Sequence, residues 1–345
     1  MREILDKIGF IPFQPVPFFQ TGHAQTLLSH LFSYMPVMGH NQKYSIKLPD
    51  NDEIILVENF AQQPKEKAPN ASNRIMLLVH GLTGTQNSAY MQRPTCYLTE
   101  AGFPVFRMNL RGCGEGFYLA QKLYHSGMSE DVHEAISWLG KQYPTSPVTL
   151  IGFSLGANLV LKLAGELGKN IYSAPNLDSV IAVSPPLNLE TSVRLLLHKK
   201  NKIFNDYFVK RLIKYIQIKS KFIPNLPTKL ERKIKTVFDF DEQVTAPHSG
   251  FKNAKDYYKQ ASSGQYVHDI KIPTLILHAI DDPFIGNAEF YQFPDNENID
   301  LLVTQTGGHV SWLGKTDSPL YYRWMDRVIL KWIMWLDGKH RAGIS

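Results

Sequence analysis

Six short apolar runs, each closing on small or polar residues, set the rhythm of the chain. Ile75-Met76-Leu77-Leu78-Val79 runs into His80-Gly81, Pro104-Val105-Phe106-Arg107-Met108 is followed by Arg111-Gly112, and Val148-Thr149-Leu150-Ile151 opens onto Gly152. Val180-Ile181-Ala182-Val183 leads to Pro185-Pro186, Thr274-Leu275-Ile276-Leu277 to Asp281-Asp282-Pro283, and Asp300-Leu301-Leu302-Val303 to Gly307-Gly308-His309. Between them, apolar positions recur at helical spacing over 129–140, 155–168 and 319–336. Near-continuous apolar strands separated by amphipathic helices predict a parallel sheet covered on both faces. Upstream, 44–48 and 53–59 alternate and are joined by Pro49-Asp50-Asn51-Asp52, which predicts an antiparallel edge on the same sheet. The stretch 62–73, rich in Lys, Pro and Asn, reads as an exposed connection.

The strand–helix rhythm stops near residue 187 and resumes near 271. In the interval the apolar positions keep helical spacing: Phe204, Phe208, Leu212 and Tyr215 share one side of a helix, with Lys210, Lys214 and Gln217 on the other. Charge singles out the same interval. Residues 187–265 hold 16 Lys/Arg against 7 Asp/Glu, more than the whole excess behind the net charge of +6. The predicted organisation is therefore one α/β domain: an N-terminal arm over 1–43, a core over 44–186 and 266–345, and a helical lid insertion over 187–265. With 43% apolar and 20% charged residues, the chain is neither disordered nor a membrane bundle. The start mixes both charge signs and lacks a signal-peptide core, and Cys96 and Cys113 are too few for a disulfide framework, so a cytoplasmic setting is expected.

Gly152-Phe153-Ser154-Leu155-Gly156 follows a buried strand and opens a helix, the context in which G-x-S-x-G presents a nucleophilic serine on a tight, strained turn. A serine hydroxyl needs a base to take its proton and an acid to fix that base. In this kind of sheet the order is serine, acid, histidine, each on a loop after a strand. Asp282 and His309 fall in such loops, in that order. Asp282 is preferred over Asp281 because it directly precedes Pro283; Asp281 remains the alternative, or a cap of the turn. The tetrahedral intermediate needs amide donors. The expected ones are the backbone N–H groups of Leu155, at the helix start, and Leu82, in the loop after the strand ending at Val79. His80 reads as structural and His23 as packing or bonding locally; Arg111 and His125, near the strand ends, read as buried hydrogen-bonding residues, with substrate contact as the alternative.

These residues resemble the YheT-like esterase group of the α/β-hydrolase superfamily, which also takes in eukaryotic α/β-hydrolase-domain lipases and yeast medium-chain ethyl ester synthases. The resemblance is carried by Gly22-His23-Ala24-Gln25-Thr26, His80-Gly81-Leu82-Thr83-Gly84, Asn109-Leu110-Arg111-Gly112-Cys113-Gly114, Tyr124-His125-Ser126-Gly127, the 152–156 motif with Ala157-Asn158, Asp281-Asp282-Pro283-Phe284 and Gly307-Gly308-His309-Val310. Phe238-Asp239-Phe240-Asp241, Gly250-Phe251 and Tyr257-Tyr258 in the insertion match as well. It spans about residues 20–340 and implies an α/β-hydrolase fold, a mostly parallel eight-stranded sheet flanked by helices, with Ser154, Asp282 and His309 as the triad. One departure is Glu115, where the group usually has a second small residue after Cys113-Gly114.

Gly314-Lys315-Thr316 is no phosphate loop, since His309 stands where the first glycine belongs. No metal-ligand spacing occurs either, so neither a cofactor nor a metal is expected. The expected function is a serine esterase for carboxylic esters with apolar short-to-medium acyl chains. Acyl transfer to an alcohol through the same acyl-enzyme, or non-catalytic binding of lipids or anions, is the alternative. A small-molecule ester or acyl-lipid substrate is the expected partner, and the basic lid suits peripheral contact with an anionic membrane. No nucleic acid is expected.

Overall fold

The computed structural model describes residues 2–31, 41–59, 73–223, 226, 232–317 and 322–341. Eight strands form one sheet: β1 (Asn41–Lys47), β2 (Glu53–Asn59), β3 (Ile75–Val79), β4 (Val105–Asn109), β5 (Val148–Phe153), β6 (Leu177–Val183), β7 (Thr274–Ala279) and β8 (Ile299–Thr304). Their order is β1-β2-β4-β3-β5-β6-β7-β8, antiparallel at β1/β2 and β2/β4 and parallel from β4 to β8. The sheet is the mostly parallel, helix-flanked one that the apolar runs predict, with 44–48 and 53–59 at its antiparallel edge. The predicted connection at 62–73 lies outside the described residues except for Asn73.

The runs in β3 to β7 lack alternation because both faces of these strands are buried, whereas the edge strand β8 is half-buried. Ile75, Leu77 and Val79 of β3 belong to one core, Met76 and Leu78 to the other. Helices Ser129–Gln142 and Leu155–Gly168 cover the first face; Ala89–Glu100 and Trp324–Arg341 cover the second. The last helix starts at Trp324 rather than at the predicted 319. Arg323 is held extended in a bridge with Leu313, which delays the first turn, and 318–321 lie outside the described residues.

Between β6 and β7 the chain forms helices Leu189–Leu196 and Lys202–Lys219, a short helix Val237–Phe240, a π-helical turn Asp241–Thr245, and helices Ala246–His248 and Ala254–Ala261. Their apolar side chains, including Leu196, Phe204, Leu212 and Phe240, join the core on the first face of the sheet. Asn158 ties the end of this segment to helix Leu155–Gly168. Its Nδ2 donates to the Ser126 and Ala261 carbonyls, and its Oδ1 accepts from the Ser263 amide, each at 2.8 Å. Among the described residues no helix is long and apolar enough to cross a membrane.

Leu150, fully buried in central β5, tests the core. Leu150→Ala is expected to destabilise the fold by about 2–5 kcal/mol, read as a lowered midpoint in urea unfolding with an unchanged slope.

Candidate active site

Ser154 directly follows β5 with φ 55° and ψ −119°, a conformation that a side chain-bearing residue adopts only when its surroundings force it. The surroundings do so through two glycines. A Cβ on Gly152 would meet the Gly156 carbonyl oxygen at 2.4 Å, and one on Gly156 would meet the Val79 carbonyl oxygen at 2.3 Å. Helix Leu155–Gly168 thus begins in direct contact with the end of β3, and the serine projects beyond the sheet edge.

The structure brings Ser154, His309 and Asp282 together. His309 Nε2 lies 2.9 Å from Ser154 Oγ, and His309 Nδ1 lies 2.8 Å from Asp282 Oδ2. Asp282 Oδ1 accepts the Phe284 and Ile285 amides, both at 3.1 Å, so the carboxylate is held at both oxygens. Its side chain is fully buried and that of His309 nearly so, with the imidazole 4.1 Å from the Phe284 ring, centroid to centroid. Asp281 faces elsewhere: its Oδ1 accepts the Gly308 amide at 2.9 Å, which fastens the loop carrying His309.

Among the described residues the Leu82 and Leu155 amides donate to no protein acceptor, whereas three neighbouring amides are committed. Gly81 N–H donates to Tyr90 Oη at 3.0 Å, Thr83 N–H to Tyr124 Oη at 2.9 Å and Ser154 N–H to the Val183 carbonyl at 2.9 Å. His80 is neutral and structural. Burial pushes its pKa down to about 4, its Nδ1–H donates to the Gly81 carbonyl at 2.8 Å, and its Nε2 accepts the Leu110 amide at 3.1 Å.

Two cavities meet at Ser154. The narrower, about 100 Å³, runs beneath the β6–β7 segment and is lined by residues such as Leu155, Val193, Leu212 and Phe240. The wider, about 680 Å³, passes His309, Thr26, Tyr90, Tyr207 and Arg211. Leu82, Ser154, Phe208 and Phe284 border both. Arg111 lines neither; it is chelated by Asp131 at 2.6 and 2.9 Å and by Asp50 and Asp52 at 2.6 and 2.7 Å. Glu115 sits away from both cavities, paired with Lys43 at 2.8 Å. Among the described residues no group of three His, Cys, Asp or Glu side chains is placed to hold a metal ion.

Several supports of the site have no signature in periodicity or spacing. His309 N–H donates to Thr26 Oγ1 at 2.9 Å, and Thr26 Oγ1–H donates to the Gly22 carbonyl at 2.6 Å. Buried Gln25 donates to the Phe19 and Leu313 carbonyls at 2.6 and 2.9 Å and accepts the Leu313 amide at 2.7 Å. Helix Gly22–Leu31 therefore clamps the loop after His309. His23 corrects the expectation of a local role: its Nε2 lies 2.8 Å from Oδ1 of Asn201, 178 residues away. The chain fold brings the arm against the β6–β7 segment, and Asn201 Nδ2 donates onward to the Pro283 carbonyl.

The model of the alpha/beta hydrolase fold family matches residues 74–316, and the chain belongs to that family. Among its relatives is YheT of Escherichia coli (strain K12), a provisionally named esterase, 29% identical over 91% of this chain and 90% of that one. A monoacylglycerol lipase of Saccharomyces cerevisiae is 29% identical over 83% of this chain and 63% of its own length. Among solved structures, an esterase of Pyrococcus furiosus shares the fold with a TM-score of 0.55 at 20% identity, covering 86% of this chain and 91% of that one.

Gln25→Ala removes the acceptor of the buried Leu313 amide and the donor shared by the Phe19 and Leu313 carbonyls. It is expected to cost about 1–3 kcal/mol of stability, measured by chemical unfolding.

Proposed function

We propose that the protein hydrolyses carboxylic esters through an acyl-enzyme on Ser154. His309 Nε2 takes the Oγ proton as Oγ attacks the ester carbonyl, and Asp282 holds the imidazolium that forms. The oxyanion is received by the Leu82 and Leu155 amides. The C–O bond to the alcohol then breaks, with His309 returning the proton to the leaving oxygen. Water, deprotonated by the same imidazole, releases the acid and restores Ser154. The observation that carries this reading is the unbroken chain Ser154 Oγ–His309–Asp282, at 2.9 and 2.8 Å, at the junction of two cavities. Relatives named as esterase and lipase support the same chemistry.

The narrow cavity is assigned to the acyl group and the wide one to the alcohol. At about 100 Å³ the former is smaller than the ~150 Å³ cavity that takes up benzene, which suits a short-to-medium acyl chain. Residues 187–265 act as the lid in this reading, since Leu189, Val193, Phe208 and Phe240 wall the cavity beside Ser154. The mouth of the wide cavity carries exposed Leu27, Ile203 and Tyr207, near exposed Lys199, Lys200, Lys210 and Lys214. Exposed apolar residues and cations on one segment suit contact with an anionic lipid surface. A reducing, cytoplasmic setting fits Cys96 and Cys113, neither of which is in a disulfide.

A fluorophosphonate probe is expected to label the wild type and not Ser154→Ala, and Asp282→Asn is expected to lower kcat by about 10³–10⁴-fold. Labelling that persists in Ser154→Ala points to another nucleophile; a wild type that neither labels nor turns over esters points to a binding protein.

Changing Lys199, Lys200, Lys210 and Lys214 to Gln is expected to weaken co-sedimentation with phosphatidylglycerol-containing vesicles more than about tenfold, at roughly 1 kcal/mol for each cation near the surface. Unchanged binding removes the membrane contact.

A further inference from the structure

The narrow cavity has one wall of a different character. Leu82, Leu155, Val193 and Ile285 make it apolar on several sides, but His125, Asp241 and Tyr258 also line it. These polar residues come from two parts of the chain, the loop before helix Ser129–Gln142 and the β6–β7 segment. They are joined through Tyr257, whose Oη accepts the Ser126 amide at 2.9 Å and whose ring lies 5.7 Å from His125 and 5.2 Å from Tyr258, centroid to centroid.

Each end of the wall offers one hydrogen-bonding capacity. His125 Nδ1 accepts the Gly127 amide at 3.1 Å, so the neutral ring carries its proton on Nε2. Burial, aided by the charges of Lys162 and Arg111, holds its pKa down to about 3, so the ring stays neutral at working pH. Among the described residues Nε2–H meets no protein acceptor. Asp241 opens the π-helical turn Asp241–Thr245, a rare geometry concentrated at functional sites. Its Oδ1 accepts from Thr245 Oγ1 and its Oδ2 from Tyr258 Oη, both at 2.7 Å. A carboxylate has about four acceptor positions, so capacity is left over. A donor and an acceptor lining one cavity suit a hydroxylated acyl group, whose hydroxyl can accept from the first or donate to the second.

We propose that this wall selects the acyl half of the substrate, and that the preferred substrates are esters of short hydroxylated carboxylic acids, with His125 and Asp241 as the specificity-determining pair. The inference rests on the ester-hydrolase reading and narrows it. A pocket that hydrogen-bonds a hydroxyl discriminates against the analogue lacking it, because the buried groups are then left without partners.

The test compares kcat/KM within matched pairs of phenyl esters: 6-hydroxyhexanoate against heptanoate, and 3-hydroxybutanoate against 3-methylbutanoate. The wild type is expected to favour the hydroxylated member of at least one pair by about tenfold or more. His125→Phe and Asp241→Leu are expected to bring that ratio to about one. Thermal unfolding shows whether each variant is folded, and the wild-type ratio alone decides if neither is. A wild-type ratio of one or below in both pairs, with Ser154 still labelled by fluorophosphonate, overturns this inference and leaves the hydrolase intact. A ratio that survives in both folded variants overturns the assignment to this wall. Absence of both labelling and ester turnover overturns the parent reading and this one with it.

Discussion

The contact between the start of helix Leu155–Gly168 and the end of β3 governs the geometry around Ser154. The backbone of residue 156 lies so near the Val79 and His80 carbonyls that no Cβ fits between them. With Gly152 equally confined, the turn between β5 and the helix has one way to pass, and the left-handed φ of Ser154 is its result. The strain is local, but its counterweight is the whole sheet: β5 is central, paired with β3 and β6 and packed on both faces. The proposed nucleophile is thus held at the end of a central strand buried on both faces.

His309 is placed by opposite means. Its loop has two glycines in left-handed conformations and no regular structure of its own, so neighbours must define it. They do so through single hydrogen bonds from several directions: Asp281 to the Gly308 amide, Thr26 to the His309 amide and Ser184 Oγ to the Val310 amide at 3.2 Å. Asp282 then fixes the ring. The serine is positioned by close packing and the imidazole by a set of polar tethers, and the two systems meet over 2.9 Å.

This difference explains what could be read from the chain. Strands buried on both faces leave uninterrupted apolar runs, so all six parallel strands and the two-stranded edge were visible, as was the order of Ser154, Asp282 and His309 in the loops that follow strands. Tethers leave no such trace. The pairing of Thr26 with the His309 amide spans 283 residues and depends on one hydroxyl. Lys219 reads as one more cation of a basic helix, yet it is buried, donating to the Phe117 and Ala120 carbonyls, and burial lowers its pKa. There the trace existed: position 219 follows Leu212, Tyr215 and Ile216 at seven, four and three residues, on the inward side of helix Lys202–Lys219. His125 could be placed near the strand ends from the sequence, but not the cavity it shares with Asp241, which only the fold creates.

The clamp made by helix Gly22–Leu31 also bears on how little of the chain would suffice. The match to the family model begins at residue 74, after the first two strands, which invites trimming an expression fragment to that boundary. Such a fragment would keep Ser154, Asp282 and His309 but lose Gln25, Thr26 and Ser29, whose partners lie at 309–313. The arrangement around His309 therefore extends beyond the matched region, because its loop is moored by helix Gly22–Leu31.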